Sequence, residues 1–111
     1  MTYTIVLLPR LGSFASNKDI ARELRQSEIL PRLANGESIT LDFTGIEGST
    51  QSLIHALIAE PLQLYGQKAL GLLQFKSANP ILKTLIGLVI DYSLLPAKKK
   101  LEEAGATIEL K

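Results

Sequence analysis

The sequence predicts an α/β fold, a single and mostly parallel sheet with crossover helices in the order β-α-β-α-β-α-α-β. Three observations carry that prediction. Between Ser38 and Leu57 the chain passes from strand to polar loop to helix. Ile39, Leu41 and Phe43 alternate with Thr40 and Asp42, the period of a strand with one dry face. Gly45 and Gly48 then permit a sharp turn, and Leu53, Ile54, Leu57 and Ile58 recur at helical spacing. The second observation is Asn79-Pro80, a capping side chain followed by a residue suited to the first helical position. The third is the alternation of strand-like and helix-like segments, which requires crossovers and hence a mainly parallel sheet.

In order, Tyr3 to Leu8 reads as the first strand, ended by Pro9, and Arg10 to Phe14 as a loop. Ser16 followed by Asp19 has the form of a capping box with the shorter acid. The first helix carries Ile20 and Leu24 inward and Lys18, Arg22, Glu23 and Arg25 outward. Pro31 predicts a break between Ser27 and Pro31. Leu30 and Leu33 add a turn closed by Asn35-Gly36, residues that tolerate positive φ. Ser38 to Phe43 is the second strand and the central one, because crossover helices flank it on both sides. Ser49 or Thr50 caps a second helix, Thr50 to Glu60, kinked or restarted at Pro61 and stopped by Gly66. Leu70 to Phe75 reads as the third strand, and a third helix runs from Pro80 to about Leu95. Lys98 to Glu103 reads as a short charged helix, and Ala106 to Leu110 alternates as an edge strand does.

At 111 residues the chain is expected to form one domain, 1–111. A chain of this size buries roughly two-thirds of its unfolded surface, enough for a core without covalent staples. It has no cysteine, so disulfides and thiolate metal sites are excluded and a cytoplasmic setting fits. A net charge of +1 provides no general field for nucleic acid or an anionic membrane. Ile5 to Leu8 is too short and too weakly flanked for a signal peptide. Leu85 to Leu95, interrupted by Asp91, falls short of the roughly 20 residues of a membrane span. Apolar residues make up 46% of the chain, rich for a small domain, so part of that surplus is expected at an interface.

The stretch from about Ile39 to Tyr92 resembles the STAS domain, the fold of bacterial anti-sigma-factor antagonists. It is most similar to the STAS-like family of unknown function, through the strand ending Leu41-Asp42-Phe43, the short loop, Thr50-Gln51-Ser52 and the apolar helix. The antagonists carry Asp-Ser-Ser-Gly at the helix start, where a partner kinase phosphorylates the first serine. Counted without gaps from Asp42, that motif falls on Thr50, Gln51, Ser52 and Leu53, so Gln51 stands where the phosphorylated serine would be. The resemblance implies the fold and a protein-binding habit, with an ATPase related to histidine kinases as the partner. At Gln51 the phosphorylation switch has no acceptor.

Read for chemistry, the residues offer little. Ser52 and His55, the only histidine, share a helix face, and Asp42 ends the preceding strand. Residues on one helix rarely reach nucleophile-base geometry, so a small hydrolase is the weaker alternative. Asp42 and Glu47 do not make a metal site, and Asp42 is expected to accept hydrogen bonds from loop N–H groups. The loop Thr44 to Thr50 has glycines and hydroxyls before a helix start, so a small-anion or nucleotide sensor is another alternative. Against it, Glu47 is negative and no lysine follows Gly48 as a Walker loop would require. The run Lys98-Lys99-Lys100 is balanced by Glu102 and Glu103 and reads as a solvated face. No cofactor is expected.

The surface expected to bind a protein partner is therefore the loop and first turn of the second helix: Glu47, Gly48, Ser49, Thr50, Gln51 and Ser52. The third helix offers another candidate. Its apolar residues cover more than the roughly 100° needed to pack on a sheet. Gly87 costs helix stability unless another group approaches closely, so the face near Lys83, Gly87 and Asp91 is expected to contact a second copy of the chain or the partner.

Overall fold

A computed structural model describes residues 2–94. In chain order its elements are β1 (Thr2–Val6), α1 (Leu8–Leu11), β2 (Phe14–Ala15), α2 (Lys18–Leu24), a π-helical turn (Arg25–Ile29), α3 (Leu30–Ala34), β3 (Ser38–Asp42), β4 (Gly48–Ser49), α4 (Gln51–Tyr65), α5 (Gln67–Leu72), β5 (Leu73–Lys76) and α6 (Pro80–Ser93). The expected helix Lys98 to Glu103 and edge strand Ala106 to Leu110 lie outside the described residues.

The fold is α/β. Three strands form a parallel sheet in the order β1-β3-β5, and β2 pairs with β4 in a separate two-stranded parallel ladder. Tyr3, Ile39 and Leu73 lie abreast, as do Ile5, Leu41 and Phe75. Period-two geometry puts these on one face. That face is dry: Ile39, Leu41 and Phe43 are buried together with Leu53, Ile54, Leu57 and Ile58 of α4. On the other face Thr4, Thr40 and Gln74 form a polar row, and the Thr40 hydroxyl donates to Gln74 Oε1 at 3.3 Å.

Several boundaries differ from the sequence reading, each for a local reason. Pro9 does not merely end the first strand; it sits in the first turn of α1, where no N–H is needed. The segment read as a loop to Phe14 thus contains a helical turn and then β2. The cap of α2 is Asn17, not Ser16: its Oδ1 accepts from the amides of Asp19 at 3.0 Å and Ile20 at 3.3 Å. The break expected before Pro31 is absorbed by the π turn, where the Leu30 amide donates to Arg25 O. The wider turn brings Pro31 to the start of α3, where its missing N–H leaves no gap. Gly66, at φ 58, ends α4, but Gln67, Lys68, Ala69 and Leu70 favour helix and resume it as α5, so the third strand begins at Leu73 and not at Leu70.

α4 runs through Pro61 without interruption. Beside it, Arg25 donates from Nη1 to the Ala56 carbonyl at 2.9 Å and holds Nε 3.0 Å from Glu60 Oε1. The π turn is thereby anchored to α4 one turn before the proline. No described helix is long and apolar enough to cross a membrane.

Because β3 alone among the described strands is bonded along both edges, its amides should show the slowest hydrogen exchange of the sheet. Amide exchange followed by NMR checks this; slower exchange in β1 or β5 would contradict the arrangement.

Candidate functional site

The site is a loop folded back on itself at the carboxyl end of β3. Asp42 starts it. Its Oδ1 accepts from the Thr44 hydroxyl at 2.6 Å and the Thr44 amide at 2.9 Å. The hydroxyl first and the amide second hold the Asp42 carboxyl below its ordinary value, against the opposing effect of burial. The expected role of Asp42 as an acceptor for loop N–H groups is what the geometry places there.

The two loop glycines serve as seats. Gly45 has φ +83, and a Cβ there would stand 2.7 Å from Leu8 Cδ2. A Cβ on Gly48 would stand 3.1 and 3.2 Å from two ring carbons of Phe14. Leu8 and Phe14 therefore lie directly on the loop backbone, yet Phe14 remains 60% exposed. The β2–β4 ladder fixes this contact: Ser13 O accepts from the Glu47 amide at 2.7 Å, and Ala15 O accepts from the Thr50 amide at 3.2 Å. From the far side Asn79 clamps the loop. Its Nδ2 donates to Glu47 O at 2.8 Å, while its Oδ1 caps α6 by accepting from the Leu82 amide at 2.8 Å.

All six residues expected at the partner surface meet here, with unequal roles. Glu47, Gln51 and Ser52 are exposed, Gly48 is buried, and Ser49 and Thr50 are half-buried. The Ser49 hydroxyl donates to Ala15 O at 2.7 Å. Thr50 is the cap of α4, with its Oγ1 accepting from the Leu53 amide at 3.0 Å. Of the three hydroxyls only that of Ser52 faces solvent uncommitted. Ser52 and His55 lie along a groove of about 400 Å³ between α2 and α4, whose other lining residues are Lys18, Arg22, Gln51 and Ala56. Ser52 and His55 form no hydrogen bond with each other, and Asp42 is engaged with Thr44. Among the described residues no group of three or more His, Asp or Glu side chains is placed to hold a metal ion.

Sequence reasoning missed Leu8, Phe14, Lys18 and Arg22. The available signal was Phe14 itself, a lone aromatic in a polar stretch after Gly12-Ser13. At the second candidate surface, Lys83 and Asp91 are exposed and Gly87 is half-buried. Nothing described lies within 4 Å of the Cβ position at Gly87, so no close approach from within the described chain accounts for the glycine. The apolar surplus of α6 is real but lies on another side. Leu82, Ile86 and Val89 are buried, whereas Ile81 is 62% and Leu88 50% exposed.

A family model described as a STAS-like domain of unknown function matches residues 21–83, more than half of the chain. The match begins earlier and ends earlier than the likeness read from the sequence. It takes in α2 from Ala21, the π turn, α3, β3, the whole loop, α4, α5, β5 and the first turn of α6. No match to the chain was found among curated proteins or among solved structures.

Two outcomes follow from the loop geometry. Gly45→Ala and Gly36→Ala both force a side chain into a positive-φ position, at a cost of about 1–2 kcal/mol each. Only Gly45→Ala should also shift the Leu8 methyl resonances, since Gly36 has open space around it. Urea unfolding and methyl NMR read the two effects separately. The second outcome concerns acid. A lowered folded pKa at Asp42 contributes stability above the ordinary value of 3.8 and loses it as pH falls through the folded value. Thr44→Val removes the hydroxyl, so its stability deficit should be present near neutral pH and shrink below 3.8; a deficit independent of pH would contradict this assignment.

Proposed function

We propose that this chain, which belongs to the family of STAS-like domains of unknown function, works as a non-catalytic regulatory module that binds a protein partner at the loop and first turn of α4. The observation that carries the reading is Phe14, an aromatic ring 60% exposed and seated on the backbone of Gly48 beside the exposed Glu47. An aromatic ring held by a rigid seat can be desolvated by a partner with little loss of side-chain freedom, the usual character of an interface hot spot. The loop beneath it is tied by hydrogen bonds to β2 and α6, which lowers the entropic cost of docking.

By resemblance the partner is an ATPase related to histidine kinases. The same resemblance places a phosphorylated serine at the position of Gln51, which cannot accept a phosphoryl group. Ser49 and Thr50 use their hydroxyls inside the fold, which favours a surface that binds without a phosphorylation switch.

The test is affinity capture from the native cell, identification of the retained protein, and titration of that protein against purified variants. Phe14→Ala should weaken binding by about 2 kcal/mol or more, roughly thirtyfold, with an unchanged thermal midpoint. Equal affinity of Phe14→Ala and wild type would sink the proposed surface.

A further inference from the structure

We infer that the groove between α2 and α4 receives an acidic segment of the protein partner, whose carboxylates meet Lys18, Arg22 and His55; the inference rests on the protein-binding reading above. The groove walls present Lys18 and Arg22 from α2 and Gln51, Ser52 and His55 from α4, and no carboxylate is among its lining residues. Lys18 and His55 form no hydrogen bond or ion pair among the described residues. Arg22 pairs only with Asp19, whose side chain is 87% exposed. Such a pair is worth little, so exchanging it for a partner carboxylate costs little. The other guanidinium groups already have partners within the fold: Arg10 on Glu28, Arg25 beside Glu60 and on the Ala56 carbonyl, and Arg32 near Glu37 and over the Tyr3 ring.

A groove open to water on exposed cations holds a free ion weakly, and a net charge of +1 does not gather polyanions. A carboxylate tethered to a protein already docked on Phe14 is different, because tethering raises its effective concentration at the groove. Arg22 can meet it with two parallel hydrogen bonds. A contact of this kind sets association rate and partner choice more than it sets affinity.

The probe is hexaglutamate, titrated into the full isotope-labelled chain at low salt and followed by NMR. It should move the amide signals of Arg22, Gln51, Ser52 and His55, and leave those around the exposed Lys68, Lys76 and Lys83 nearly unmoved. Raising salt should remove the response. Lys18→Glu with Arg22→Glu should abolish it, while Phe14→Ala should leave it intact. Against the captured partner, the double reversal should slow association about tenfold. Shifts spread evenly over all exposed lysines, or an equal groove response to inorganic phosphate or to an oligonucleotide, would overturn the inference. Partner binding that depends on Phe14 but not on Lys18 and Arg22 would remove the groove's role alone. A wild type that retains no partner would remove the protein-binding reading and this inference with it.

Discussion

The domain is arranged to keep one face of β3 dry. Ile39, Leu41 and Phe43 are buried in one core with Leu53, Ile54 and Leu57, with almost no exposed surface on any of them. Wholly parallel sheets are ordinarily covered on both faces. Here the described helices cover the apolar face, and the opposite face carries Thr4, Thr40 and Gln74. Crowding the helices on one side makes them pack on each other as well as on the sheet. α6 accordingly buries one row of apolar side chains, Leu82, Ile86 and Val89, while a neighbouring row that includes Ile81 and Leu88 stays exposed.

The loop after β3 is held by apolar and polar contacts together. Ile46 is buried in the core, and the rest of the loop is fixed by polar contacts from both flanks. Asp42 closes the entry through Thr44, β2 holds the middle through Ser13 and Ala15, and Asn79 grips Glu47 while capping its own helix. Asn79 illustrates how few side chains can do this. An Asp would retain the cap through its oxygen but would lose the donor to Glu47 and set a negative charge against that carbonyl. The glycines contribute through space: removing the Cβ at positions 45 and 48 lets Leu8 and Phe14 descend onto the backbone.

Much of this was legible in the sequence wherever periodicity and capping agreed. The alternation Ile39-Leu41-Phe43, the Thr50 cap and the Asn79-Pro80 start all fall where expected, and β3 is central. Legibility failed where the deciding interaction is not local. Nothing in Ser27 to Pro31 announces a π turn, because that turn is held in place by Arg25 reaching an Ala56 carbonyl 31 positions away in sequence. The apolar run Leu70 to Phe75 is too short for its period to distinguish the end of a helix from the start of a strand. At the candidate surface the glycines and hydroxyls were identifiable, but the side chains seated on them arrive from α1 and β2. Leu8 and Phe14 became part of the site only through a parallel pairing of two residues per strand, too brief to leave a sequence pattern.

On the protein-binding reading, the loop divides its neighbours into two unlike flanks. Phe14 and Leu8 present apolar surface on one side. Lys18 and Arg22 present cations, beside the His55 imidazole, on the side where α4 departs. Apolar contact supplies binding free energy with little discrimination, whereas charge selects partners and speeds encounter without adding much affinity. A partner that satisfies both must carry an apolar pocket and an acidic segment at a fixed separation, a more demanding requirement than either alone. The commitment of Ser49 and Thr50 to structural hydrogen bonds, with Gln51 between Thr50 and Ser52, gives this surface one geometry. Control of such an interaction would then reside in the partner, in how much of each chain is present, or at Ser52, the one hydroxyl of the three that the fold leaves uncommitted.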